Sequence, residues 1–168
     1  PLFKLRSMSG AIIFRMNGPL CWKTERQART SLSSCEAEIA ATNMGSKLTI
    51  GTRNFTRGFG ACGVPVPSDI SRPTNVFNDN SACVQWTGNM TLKAVRHIEL
   101  RENSVREWVQ DKSIKVSHVA GVDNVSDIFT KEMRDVSHFC RLRDSFMSRL
   151  ADFNLTSRVA TAATAVWC

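Results

Sequence analysis

Apolar positions recur along this chain with two different periods, and the switches between them mark out its elements. Residues 9–17, Ser-Gly-Ala-Ile-Ile-Phe-Arg-Met-Asn, are rich in β-formers. Asn17-Gly18 behind them is a hairpin signal, because both central residues of a type I′ turn need φ > 0. Leu20 to Ser31 is the predicted returning strand, apolar at Leu20 and Trp22 and polar beyond, as suits an edge strand facing water. Ser33 then opens a helix whose Ala37, Ala40, Ala41, Met44 and Leu48 form one apolar stripe at helical spacing. Residues 51–73 are glycine-rich and hold three of the five prolines, which predicts a frayed helix end and a long connection.

Thr74 to Asn78 reads as a short buried strand, after which Asn80 or Ser81 can cap a helix through Trp86. A further helix carries Val95, Ile98, Val105, Trp108 and Val109 on one face, with Arg101, Glu102, Arg106 and Glu107 mostly outside. Ile114 to Val119 alternate as a strand, Gly121 to Asn124 turn the chain, and Ser126 starts a helix running with a break toward Leu150. The order hairpin, helix, strand, helix, helix, strand, helix predicts an α/β fold with a mixed sheet. Two regions follow from it: a domain over 1–150 and a tail over 151–168 that is rich in Ala, Thr and Val, lacks a period and is assigned no element.

Composition narrows the function more than the fold. At 168 residues, 42% hydrophobic and 22% charged, the chain is one globular domain of ordinary size. A net charge of +7 suits a polyanionic partner, nucleic acid ahead of an anionic membrane face. The six cysteines include no C-x-x-C pair, which argues against a zinc site and for reduced thiols in cytosol or nucleus. No apolar run approaches the roughly 20 residues that span a bilayer. The chain opens on Pro1 rather than Met, which reads as a fragment or a processed piece.

Three acids stand at the centre of short motifs: Glu38 in Ser33-Ser34-Cys35-Glu36-Ala37-Glu38-Ile39, Asp79 in Phe77-Asn78-Asp79-Asn80-Ser81-Ala82, and Asp127 in Asp123-Asn124-Val125-Ser126-Asp127-Ile128-Phe129-Thr130-Lys131. Asp79 directly follows an apolar strand and precedes a helix, where open α/β sheets gather ligands. Its bland alternative is an Asx-turn or cap, work that Asn80-Ser81 can already do. Glu36 has a structural role on offer, since Ser33-x-x-Glu36 fits a capping box. Glu38 lacks one and is the favoured ligand, with Glu36 as fallback. Asp127 lies in a first helical turn, where an acid suits the helix dipole without any metal. The loop Ala120-Gly121-Val122-Asp123-Asn124 carries no histidine, and His97, His118 and His138 are assigned no catalytic role.

The order of these acids and their separations of 41 and 48 residues resemble three of the four carboxylates of a ribonuclease H domain. The surrounding wording is similar to the version that ends copia-class retrotransposon polyproteins. Gly18-Pro19-Leu20-Cys21-Trp22-Lys23, Val95-Arg96-His97-Ile98-Glu99-Leu100-Arg101-Glu102 and Ser126-Asp127-Ile128-Phe129-Thr130-Lys131 each match a segment of that family in the right order, over about residues 7–150. The resemblance implies a ribonuclease H-like mixed sheet flanked by helices, and two-metal hydrolysis of the RNA strand of an RNA–DNA hybrid. Its catalytic and metal-binding residues would be Glu38, Asp79 and Asp127. It further implies Mg²⁺ or Mn²⁺ (two ions in the intact parent, poorly held by this chain) and an upstream reverse transcriptase domain on the same polyprotein. The setting would be cytoplasm, nucleus or a virus-like particle.

The resemblance also implies a departure. The family's first strand, central in its sheet and bearing the fourth carboxylate, belongs before Arg6-Ser7-Met8-Ser9-Gly10, and no Asp or Glu precedes Glu25. The expectation is a sheet lacking its first, central strand and split into two halves with exposed edges.

Overall fold

The computed structural model describes residues 6–15, 18–66, 68–89, 100–147 and 163–167. Its strands are β1 (Met8–Arg15), β2 (Gly18–Arg26), β3 (Thr74–Asn78), β4 (Ile114–His118) and β5 (Ala163–Trp167). The helices are α1 (Ser34–Ala61), α2 (Ser81–Gly88), α3 (Leu100–Gln110) and α4 (Val136–Asp144), with 3-10 turns at Ser68–Ser71, Gly121–Asp123 and Val125–Phe129.

One five-stranded sheet joins them in the order β2-β1-β5-β3-β4. β1 is antiparallel to both β2 and β5, whereas β3 is parallel to both β5 and β4. The mixed sheet is therefore as expected, but the split is not. Five residues of the tail occupy the place between β1 and β3 that was expected to stand empty. The physical reason is that the facing sides of β1 and β3 present backbone N–H and C=O groups that, once buried, must find partners. A segment without charge or proline can supply them.

Helix α1 lies across β1, β5 and β3. Ile39, Ala41 and Met44 enter a core shared with Ala11, Val76, Cys83, Trp86, Val105 and Ile114. Alternation along β1 turns Ala11 toward this core and Gly10 to the opposite face, where it meets Thr130 and Phe129. The 3-10 turn Val125–Phe129 thus covers the sheet face away from α1.

Four boundaries differ from the sequence expectation. β2 stops at Arg26 because Gln27 turns inward, its amide donating to Ser9 Oγ and the Ala37 carbonyl, both at 2.9 Å. Pairing of Arg15 with Gly18 puts the hairpin connection at 16–17 rather than at 17–18, and those two residues lie outside the described set. Helix α1 runs through Gly51, Gly58 and Gly60 to Ala61. Buried Arg53 ties its second half to the following connection, donating to the Ile70 and Arg72 carbonyls and to Thr74 Oγ1 at 2.7–2.9 Å. Gly63, at φ 81, ends the run where a side chain would be strained. The helix expected from Ser126 is instead a 3-10 turn, an irregular stretch, and then α4, which starts afresh because Asp135 Oδ1 accepts the Ser137 and His138 N–H groups. Val95, His97, Ile98 and the rest of 90–99 lie outside the described residues, as do 148–162.

Candidate active site

Ser33 sets the first acid in place. Its Oγ accepts the Glu36 N–H at 3.1 Å, and Glu36 Oε2 accepts the Leu32 N–H at 2.7 Å, one residue short of a reciprocal capping box. Glu36 is thereby spent on the helix start. Two residues on, Glu38 faces the other way, 6% exposed, and its Oε2 accepts a hydrogen bond from Asn78 Nδ2 at 3.0 Å. Asn78 is fully buried at the end of β3. The same amide nitrogen lies 3.3 Å from Thr42 Oγ1, and Asn78 Oδ1 accepts the Asn80 N–H at 2.7 Å.

Asn78 is thus a positioning residue that sequence reasoning passed over as a strand end. The available signal was its Asx spacing to Asn80. One bond holds Glu38, while the other shapes the turn that presents Asp79.

Asp79 is half-buried where β3 ends. Its carbonyl oxygen is 3.0 Å from His118 Nε2 at the end of β4, so His118 serves the backbone there. A Cβ built on Gly121 would stand 3.1 Å from Asp79 Oδ2, so the bare glycine leaves the carboxylate its room. Asp127 is 5% exposed within the 3-10 turn. Its Oδ2 accepts from Lys131 Nζ at 3.2 Å, and its buried Oδ1 has no hydrogen-bond partner.

The electrostatics tie the three acids together. Burial is the largest influence on each. It lifts Glu38 to about 7, with the Asn78 hydrogen bond opposing and the negative charges of Asp79 and Asp127 adding to the rise. Asp79 is lifted to about 6, again by burial first and then by Asp127. Asp127 is also raised, by burial. The Lys131 ammonium opposes the rise at all three. Lys131 closes the Ser126–Lys131 motif but drew no role from the sequence; here it is the counter-charge that the three acids share.

Whether these residues make a metal centre is a separate question. Among the described residues, no three His, Cys, Asp or Glu side chains are grouped so that they could hold a metal ion. An ammonium sits on Asp127, and the sequence of β5, Ala-Thr-Ala-Val-Trp, brings no carboxylate to the strand beside Asp79. As they stand, the residues do not fit a two-metal centre, and no step is routed through one.

A groove of about 590 Å³ runs between β2 and α1, lined in part by Ser9, Lys23, Gln27, Arg29, Asn43 and Lys47; none of the three acids borders it.

Comparison with known proteins then identifies the context. The chain is 28% identical over 128 residues to the retrovirus-related Pol polyprotein from transposon TNT 1-94 of Nicotiana tabacum, covering 75% of this chain and 9% of that protein. The likeness is to Pol polyproteins of plant transposons. The corresponding proteins from transposons RE2 and RE1 of Arabidopsis thaliana are 26% and 24% identical over 133 and 129 residues, which is 78% and 76% of this chain and 9% and 8% of theirs. The chain therefore spans less than a tenth of the length of these relatives. No family model matches it. No solved structure matches it. Among the described residues no helix is long and apolar enough to cross a membrane.

Proposed function

We propose that this chain is the ribonuclease H-like part of a copia-class Pol polyprotein, with Glu38, Asp79 and Asp127 as carboxylates of its hydrolytic site. One observation carries the reading: three acids separated by 41 and 48 residues lie in one electrostatic field, each lifted by burial and all opposed by one lysine. Buried acids that repel one another cost stability, and such arrangements concentrate where chemistry needs them. In the intact polyprotein the site would act on the RNA strand of an RNA–DNA hybrid made by the reverse transcriptase domain upstream.

A second reading, a non-catalytic scaffold that holds nucleic acid through its positive charge, is favoured for residues 1–168 by themselves. The Lys131 ammonium lies against Asp127, and the sequence of β5 adds no acid. The isolated chain is then a hybrid binder whose affinity falls steeply with salt, with little or no Mg²⁺-dependent cleavage.

The test is cleavage and binding of one labelled hybrid by three proteins. These are residues 1–168, a version extended upstream through an acid-bearing strand, and the same extension with Asn for that acid; Asp79→Asn in each controls for contaminating nuclease. Binding by all three with cleavage by the acid-bearing extension only is the expected pattern. Cleavage by 1–168 that Asp79→Asn abolishes would show that three carboxylates suffice. An extended protein that neither binds nor cleaves would remove the ribonuclease reading altogether.

A further inference from the structure

The place of β5 in the sheet carries an inference of its own, independent of the functional reading. β1 and β2 pair along the whole of β1, and β3 pairs with β4 along all five of its residues, so each pair is complete without β5. Helix α1 packs on both β1 and β3 and spans the gap between them. The turn Val125–Phe129 covers β1 and β5. The result is a slot with two strand edges for walls, a helix on one face and a 3-10 turn beside it.

Into this slot comes a segment that follows everything else in the sequence. Gly10 to Phe14 pair antiparallel with 167 to 163, and Asn75 to Phe77 pair parallel with 163 to 165. Between Met147 and Ala163 lie 15 residues that belong to no described element, so the strand is not tied to its neighbours by a short connection. Unpaired strand edges are templates for another strand, and a slot with two of them doubles the backbone bonds an occupant gains.

We infer that the space between β1 and β3 is a strand-acceptor site whose resident, residues 163–167, can be replaced by an extended, uncharged five-residue strand supplied from another chain. Backbone pairing on both sides supplies the affinity, and the parallel register to β3 with the antiparallel register to β1 fixes the direction. The resident strand competes as an intramolecular ligand, at an effective concentration on the order of millimolar. An outside strand therefore enters well only when the resident is weakened.

The test uses the full chain and a synthetic peptide of residues 161–167 with a fluorophore at its amino end. Thr164 pairs with Ile13 on one side and Val76 on the other, so Thr164→Pro in the chain removes a ladder donor and weakens the resident. The Thr164→Pro chain should bind the peptide at least tenfold more tightly than the unmodified chain, and its melting temperature should rise when the peptide is added. A peptide bearing the same Thr164→Pro change should bind at least tenfold more weakly. Equal binding by the two chains would place the peptide elsewhere, on the free edge of β2 for instance, and overturn the inference. So would a folded Thr164→Pro chain that binds no peptide. If that chain proves insoluble, Ala165→Gly is the gentler substitute. Peptide binding to it no tighter than to the unmodified chain would overturn the inference equally.

Discussion

β3 and β5 lie side by side, run the same way and have five residues each, yet they reach the sheet by different routes. β3 is declared by its own sequence. Pro73 precedes it, Thr74, Val76 and Asn78 are buried in alternation with half-buried Asn75 and Phe77, and Asn78-Asp79-Asn80 turns the chain out. β5 has no such frame, only an Ala, Thr and Val-rich stretch without turn signals. The first strand is followed directly by an acid of the candidate site, Asp79, and the second supplies none. Backbone pairing demands only an extended segment, whereas chemistry demands a particular side chain at a particular strand end. The slot can be filled structurally without adding a carboxylate to the candidate site.

The strongest way to break this comparison is to put proline into each strand. Val76→Pro and Thr164→Pro both delete a ladder donor between two neighbours and leave a partner carbonyl unpaired. Each should cost about 3 kcal/mol, read from urea midpoints, if β5 is as integral to the sheet as β3. A neutral Thr164→Pro beside a damaging Val76→Pro would show that β5 is not a load-sharing central strand.

How much could be read in advance follows the same division. The cap at Ser33, the strand Thr74–Asn78, the Asn80 cap and the strand from Ile114 were legible because local residues enforce them. The second half of α1 was not, because its glycines argue for fraying and the compensation lies in Arg53 reaching residues 17 to 21 positions away. β5 was invisible for a related reason: its partners are distant strands, and nothing within it selects an extended form. At the site, motif wording singled out Glu38, Asp79 and Asp127. The roles of Asn78 and Lys131 required knowing which oxygen each one reaches.

The next effect in size sits on β1 beside the slot. Gly10 pairs with Trp167, and a Cβ added to it would meet Thr130 Cγ2 at 2.7 Å and Phe129 Cβ at 3.1 Å. Gly10→Ala must therefore push away the segment that carries Asp127. Overpacking of this kind costs about 1–3 kcal/mol. Loss at the low end, with unchanged fluorescence and hydrogen exchange around 125–131, would mean that the turn yields easily and does not fix Asp127.

Glu38→Gln should act in the opposite direction. The folded chain holds a proton on Glu38 up to about pH 7, whereas an unfolded glutamate gives it up near its ordinary value of 4.5. Between those values the folded state binds more protons, so stability falls as pH rises and the full cost is present above pH 7. Glutamine removes that cost. We expect a gain on the order of 1–2 kcal/mol at pH 8, below the full cost of ionising Glu38 because the new amide nitrogen needs a partner of its own. The gain should vanish near pH 4.5. A loss at pH 8 would mean that the Asn78 bond to a charged Glu38 outweighs its burial.

The smallest and most diagnostic effect is at the end of β3. Asp79 is held near 6 against an ordinary 3.8, so its ionisation weakens the fold progressively between about pH 4 and 6 and the cost persists above that. Its penalty is lower than that of Glu38, because Asp79 is less buried and Lys131 and His118 both ease its charge. Asp79→Asn keeps the size of the side chain and any turn-forming capacity while removing the charge. If Asp79 is kept for chemistry, the substitution should raise the melting temperature slightly at pH 8 and leave it unchanged below pH 4. If instead the negative charge itself holds this end of the sheet, through its attraction to Lys131 and His118, the same substitution should lower the melting temperature at pH 8. Thermal melts of the two proteins at pH 4, 6 and 8 decide between these outcomes, and a lower melting temperature at pH 8 would remove Asp79 from the candidate site.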